Sequence, residues 1–139
     1  MRKECLKLLL IQCEMVNKKF KKIKPILPSL REKKRYLVFD VISREGIKDF
    51  AQISNAIMHA SLQLLGQLGV AKAGIIALPN KWNSKLQRGI IKVSHKHVDA
   101  LRAALIFANK IDNSDVIFRS VGVSGILNKA VNKFQLQST

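Results

Sequence analysis

The stretch RYLVFDVIS, Arg35–Ser43, alternates side chains in a β-rich run and reads as a strand buried on one face. Leu37, Phe39 and Val41 make its apolar row, and Asp40 stands on the opposite side. Downstream, Phe50, Ile53, Ile57, Ala60, Leu64 and Leu68 recur at helical spacing, and GQLG, Gly66–Gly69, is expected to end that helix. AGIIAL, Ala73–Leu78, is a short apolar strand, PNKWNSKLQ a turn-rich loop, and RGIIKVS, Arg88–Ser94, a third strand. Val98, Leu101, Leu105 and Ala108 mark a second helix. DVIFRSVGV, Asp115–Val123, is a fourth strand, and ILNKAVNKF, Ile126–Phe134, a last short helix.

The order is β-α-β-β-α-β with an added C-terminal helix, which predicts an α+β, ferredoxin-like (RRM-like) sandwich. In the usual strand order the first strand lies between the third and fourth. Asp40 is then expected to pair with Lys92 or Arg119 on the open sheet face, as a partly exposed ion pair of small worth. That face is mixed (Val38, Ile42, Ile90, Lys92, Arg119) and suits a protein partner or the C-terminal helix.

The chain has 139 residues, enough for one core, and 47% are hydrophobic. Its net charge is +16, and nine acidic side chains face 25 basic ones. Such an excess repels itself in a compact state unless a polyanion neutralises it. Nucleic acid is the first candidate and an anionic membrane the second. Twelve of the basic residues fall within the first 35, so residues 1–34 read as a basic N-terminal arm and residues 35–139 as the folded domain. The arm segment KKFKKIKPILPSLREKKRY has two prolines and no steady period, which predicts an extended chain. Ahead of it Leu6, Leu9, Leu10 and Cys13 have helical spacing. No apolar run reaches the roughly 18 residues of a membrane span. Cys5 and Cys13 lack companions at zinc-ligand spacing and read as reduced thiols of a cytoplasmic protein.

Little here resembles an active site, and no catalytic residue and no metal ligand is expected in the chain. His95-Lys96-His97 offers only two histidines. Gly122-Val123-Ser124-Gly125 has the wrong spacing for a nucleophile elbow and lacks the Lys-Ser/Thr of a phosphate loop. It reads as a turn with Ser124 as helix N-cap, either a plain cap or a helix start that meets phosphate. Ser94 is a second candidate N-cap; it would place Lys96 in a first turn, against the helix dipole unless an anion is near. Trp82, between Lys81 and Lys85, is open to two readings: a base-stacking ring or a plug at the core edge. His59 lies off the apolar stripe and is expected at the surface. An acylphosphatase-like enzyme would need a phosphate-gripping Arg in a Gly-rich first loop, and Arg44-Glu45-Gly46 is a poor match.

Three stretches together resemble the archaeal ribonuclease P protein component 2 family, which is related to a eukaryotic ribonuclease P/MRP subunit. They are LPSLREKKRYLVFDVIS (27–43), RGIIKVSHKHVDALRAAL (88–105) and VIFRSVGVSGILNKAVNKF (116–134). The resemblance runs from about Pro25 to Phe134. It departs in residues 1–24, which have no counterpart in the typical short head, and at Ile126, where relatives often carry Thr. It implies a noncatalytic subunit of ribonuclease P, in which the RNA subunit removes the 5′ leader of precursor tRNA with metal ions, commonly Mg²⁺. It also implies a protein partner, component 3, in a heterotetramer.

Three RNA contacts are expected: Lys33, Lys34 and Arg35 at one, His95 and Lys96 at a second, Arg119 and Ser124 at a third. Arg88 and Lys92 of the third strand join them as candidates. A general nucleic-acid-binding protein with no dedicated enzyme complex is the alternative.

Overall fold

The computed structural model describes residues 25–111 and 114–135, Gln135 in its backbone only. The helix expected around Leu6–Cys13 and the lysines up to Lys24 lie outside the described residues. The chain divides into two units, Met1–Arg31 and Glu32–Thr139. In the first, where an extended arm is expected, Pro28–Leu30 form a single 3-10 turn. The Arg31 Nε donates to the Ile26 carbonyl at 3.0 Å.

The second unit runs β1 (Lys34–Ser43), α1 (Phe50–Ala73), β2 (Ile76–Ala77), β3 (Arg88–Ser94), α2 (Val98–Phe107), β4 (Lys110–Ile111), β5 (Ser114–Ser124) and α3 (Leu127–Ala130). A wider π turn, Val131–Gln135, continues α3. The antiparallel sheet has the order β2-β3-β1-β5-β4. Its first four strands reproduce the expected ferredoxin-like order with β1 in the middle. β4 is an addition: two residues that pair with Ser114 and Asp115 to close a hairpin. The strand expected over Ala73–Leu78 shortens to two residues, because Gly74 turns in the left-handed conformation (φ 57°) to cap α1, its N–H donating to the Val70 carbonyl at 3.0 Å.

The alternation of β1 divides its side chains between two cores. Leu37, Phe39 and Val41 join Ile53, Ile57, Ala60, Leu101 and Leu105 between the sheet and α1 and α2. Val38 and Ile90 face the other way and bury against Ala130 of α3, with Tyr36, Leu127, Val131 and Phe134 around them. The open face is thus largely covered by the chain's own C-terminal segment.

The stripe of α1 holds for Ile53, Ile57 and Ala60 and then fails: Leu64 is exposed and Leu68 is 69% exposed. The reason is Gly66, at φ 67° and ψ 174°, a conformation essentially reserved for glycine. GQLG interrupts the helix but does not end it. The break resets its phase, so that Leu65 and Val70 pack on the core instead.

Candidate nucleic-acid interface

Asp40 directs its carboxylate to the face that α3 covers, and it is only 5% exposed. Its direct neighbour in β3 is Arg88 and in β5 Arg119. Arg88 Nε donates to Oδ1 and its Nη2 to Oδ2 at 3.0 Å; Arg119 Nη2 donates to the same Oδ2 at 2.8 Å. Burial pushes the Asp40 pKa up. The two guanidinium hydrogen bonds and charges outweigh that and hold it below the usual carboxylate value. The hydrogen bond to Asp40 correspondingly raises the Arg88 pKa, against its own burial.

The pairing corrects one expectation. Arg119 is a partner of Asp40 as expected, but Lys92 is not: the register sets Lys92 opposite Tyr36. The pair with Arg119 is partly exposed as expected, whereas Arg88 adds a buried partner. Arg88 is 12% exposed and gives a further N–H, Nη1, to the Phe134 carbonyl, so it ties sheet, carboxylate and C-terminal segment together. Of the two arginines, Arg119 is the one that reaches solvent, at 63% exposure. Among the described residues it is held through Nη2 on Asp40, which leaves a fixed cation facing outward.

A second set forms at the other end of β1. Lys34 pairs with Ser94 and Tyr36 with Ser124. The His95 N–H donates to the Lys33 carbonyl at 2.9 Å, and His95 Nδ1 stands 3.2 Å from the same oxygen. The Arg35 guanidinium lies over the Gly125 backbone: a Cβ there would be 3.2 Å from Nη1. Lys33, Lys34, Arg35, His95 and Lys96 are all exposed or half-buried around this corner. Two contacts that the sequence lists separately, Lys33–Arg35 and His95–Lys96, are therefore one patch joined by main-chain hydrogen bonds, with Ser124 at its border. Arg119 is not part of it. Arg119 stands beside Asp40 and Ser124 beside Tyr36, four β1 residues or about 14 Å along the strand. The two do not flank one phosphate.

Neither expected helix cap forms. β5 continues through Ser124, so Gly122 and Val123 belong to a strand and not to a turn. The Ser124 hydroxyl closes a local loop: it accepts from the Ile126 N–H at 3.2 Å and donates to the Ile126 carbonyl at 3.0 Å. α3 starts only at Leu127, with Ile126 as an N-cap that makes no side-chain bond. Ser94 likewise makes no cap bond; His95–His97 form a 3-10 turn and α2 follows from Val98. The Gly at 122 has a packing reason instead, since a Cβ there would meet the Phe134 ring at 2.4 Å.

Trp82, half-buried, packs against the main core. Its ring stacks on Phe39 at 6.3 Å between centroids and tilts against Phe50 at 5.9 Å. Its Nε1 is buried, and the residue as a whole is half-buried. His59 is exposed on α1, as its position predicts. Among the described residues no three His, Cys, Asp or Glu side chains converge on a point, and no helix is long and apolar enough to cross a membrane.

Sequence reasoning missed the clamp made by Gln87. Its φ of 49° is a left-handed backbone, and its side chain brackets Ile47, Oε1 accepting from the Ile47 N–H and Nε2 donating to the Ile47 carbonyl, each at 3.0 Å. No pattern signals it, because both partners are forty residues apart.

Residues 35–135 match the model of the family described as Rpp14/Pop5. Ribonuclease P protein component 2 of Thermococcus kodakarensis is 42% identical over 113 residues, which cover 81% of this chain and 92% of that one. The protein of the same name from Pyrococcus abyssi is 37% identical over 117 residues, covering 84% and 96%. The one from Methanosarcina mazei is 37% identical over 112 residues, covering 81% and 92%. A chain in a cryo-EM structure of yeast ribonuclease MRP superposes with a TM-score of 0.54 at 12% identity, over 76% of this chain and 88% of that one. That likeness is one of fold.

Proposed function

The chain belongs to the Rpp14/Pop5 family, and from that premise we propose that it is a noncatalytic protein subunit of ribonuclease P that binds the RNA subunit through the Lys33–Arg35/His95–Lys96 corner. In this reading the RNA subunit removes the 5′ leader from precursor tRNA, and the Mg²⁺ that serves the reaction sits on the RNA. The observation that carries the RNA contact is the joining of the two basic stretches at one corner by the His95–Lys33 hydrogen bond. Five cationic or titratable side chains there can meet adjacent phosphates, and each neutralised phosphate releases counterions. Arg119 adds an outlying cation on the same sheet, and Ser124 and Lys92 border the patch. Arg88 is withdrawn from the contacts, because its guanidinium is buried on Asp40 and Phe134. Phosphate contacts of this type position a protein without reading sequence, which suits an RNA known by its shape.

Partner proteins are part of the proposal: component 3, in a heterotetramer, in the cytoplasm. Purifying the native chain and sequencing the RNA that accompanies it tests the reading. One structured RNA, with cleavage of precursor tRNA in the eluate, is expected. A mixture of unrelated RNA and DNA without cleavage would replace it with a general nucleic-acid-binding role.

A further inference from the structure

β2 covers little of the β3 edge. Ile76 pairs with Lys92 and Ala77 with Ile91, and there the strand stops. Among the described residues no strand residue stands opposite Ser94 on that side. Main-chain groups along a strand alternate in direction. The Ile90 carbonyl points toward the β2 side, where it accepts from the Leu78 N–H at 3.1 Å. Lys92 and Ser94 share its parity, so the Ser94 N–H is directed to the same side, past the end of β2. A pocket of about 190 Å³ lies there, with Glu32, Lys34, Gly74, Ile76, Lys92 and Ser94 in its wall. Ser94 is 5% exposed, and its hydroxyl has no hydrogen-bond partner among the described residues.

A buried hydroxyl without a partner is costly and uncommon. Around it stand two lysines, the Glu32 carboxylate and, past the end of β2, the Ser94 main-chain N–H with its carbonyl on the same side. Lys34 and Lys92 outnumber Glu32, so the local charge is positive. The Ser94 hydroxyl hydrogen can rotate toward an acceptor without moving the backbone. We propose that this pocket seats one phosphate group of bound RNA, held by Lys34, Lys92 and the N–H and O–H of Ser94. The seat adjoins the basic corner through Lys34 and Ser94, so it rests on the RNA-binding reading above and gives that interface a fixed anchoring point.

Two measurements on the full-length chain test it. In the first, the ¹⁵N-labelled protein is titrated with inorganic phosphate and its amide resonances are followed. A saturable shift at the Ser94 amide is expected, lost in Lys92→Gln and kept in Lys48→Ala, which lies outside both the pocket and the basic corner. An unresponsive Ser94, or the same response in Lys92→Gln, overturns the seat. In the second, affinity for the ribonuclease P RNA is measured against salt. Lys92→Gln, which keeps most of the side-chain stem, is expected to lower the slope of log K on log[salt] by about 0.7–0.9, one phosphate contact. An unchanged slope beside a positive phosphate titration assigns the pocket to a free phosphoryl ligand and overturns the RNA seat. Absence of salt-dependent RNA binding by the wild-type chain overturns the RNA-binding reading itself, and the phosphate titration then judges the pocket separately.

Discussion

The ring of Phe134 occupies the space that a side chain at Gly122 would need, a Cβ there standing 2.4 Å from its Cζ. Strand β5 and the C-terminal segment are fitted to each other at this point. Gly122→Ala should therefore destabilise the fold by about 1–3 kcal/mol, the usual cost of overpacking. Phe134→Leu frees part of that space at its own cost. The double variant should lose less than the two single losses combined. Urea unfolding of the four proteins checks it; simple additivity would separate Gly122 from Phe134.

Asp40 stands between Arg88 and Arg119 with its carboxylate buried. Asp40→Ala leaves the Arg88 guanidinium buried without its counter-charge and should cost about 3–5 kcal/mol. Replacement with Asn, which keeps the shape and one acceptor, should cost less. Thermal unfolding of both variants reads the difference. Equal losses would mean that shape and not charge matters here.

The same carboxylate predicts a pH dependence. Its folded pKa lies below the ordinary aspartate value of 3.8, so in that range the unfolded chain binds the extra proton. The stabilisation from Asp40 is fully present above about pH 4 and is lost as pH falls through the lower folded pKa. Stability measured from pH 5 downward should drop more steeply in the wild type than in Asp40→Ala. Parallel curves would remove Asp40 from acid unfolding.

Lys33, Lys34 and Arg35 replaced together by Ala should weaken binding to the ribonuclease P RNA and reduce the salt slope by about 2–3. The His95 N–H bond to Lys33 uses the main chain, so the substitutions leave the corner's backbone in place. Circular dichroism confirms the fold. An unchanged slope would exclude this corner from the interface.

Much of the fold is legible in side-chain periodicity. Alternation in Arg35–Ser43 assigns Leu37, Phe39 and Val41 to the core face and Val38 to the opposite one, and the structure agrees. What periodicity does not carry is register. Choosing Lys92 or Arg88 for Asp40 is a four-residue slide of β3 along β1, which keeps every side chain on the same face. The hydrophobic pattern is blind to it. β4 is too short to show a period, and Gly66 resets the phase of α1 through a backbone angle that no apolar count contains. The basic corner was visible only as separate lysine and histidine runs. It takes the β1–β3 pairing to make them neighbours.

Trp82 distinguishes a core role from an RNA role. Flanking lysines make it look like a base-stacking platform. Its ring instead packs on Phe39 and Phe50, and a Cβ at Gly89 would crowd both Phe39, at 2.6 Å, and Trp82, at 3.1 Å. That three-ring stack fills the end of the main core, where β3 must come close. Trp82→Ala should cost about 3 kcal/mol or more, as aromatic truncations do, while Trp82→Phe retains much of the packing. A stacking base contributes about 1–3 kcal/mol to binding, which Trp82→Phe would partly remove if the ring met RNA. Trp82→Phe should therefore leave RNA affinity within about twofold of wild type and lower only the unfolding midpoint. A fall in affinity with an unchanged midpoint would place the ring at the interface after all.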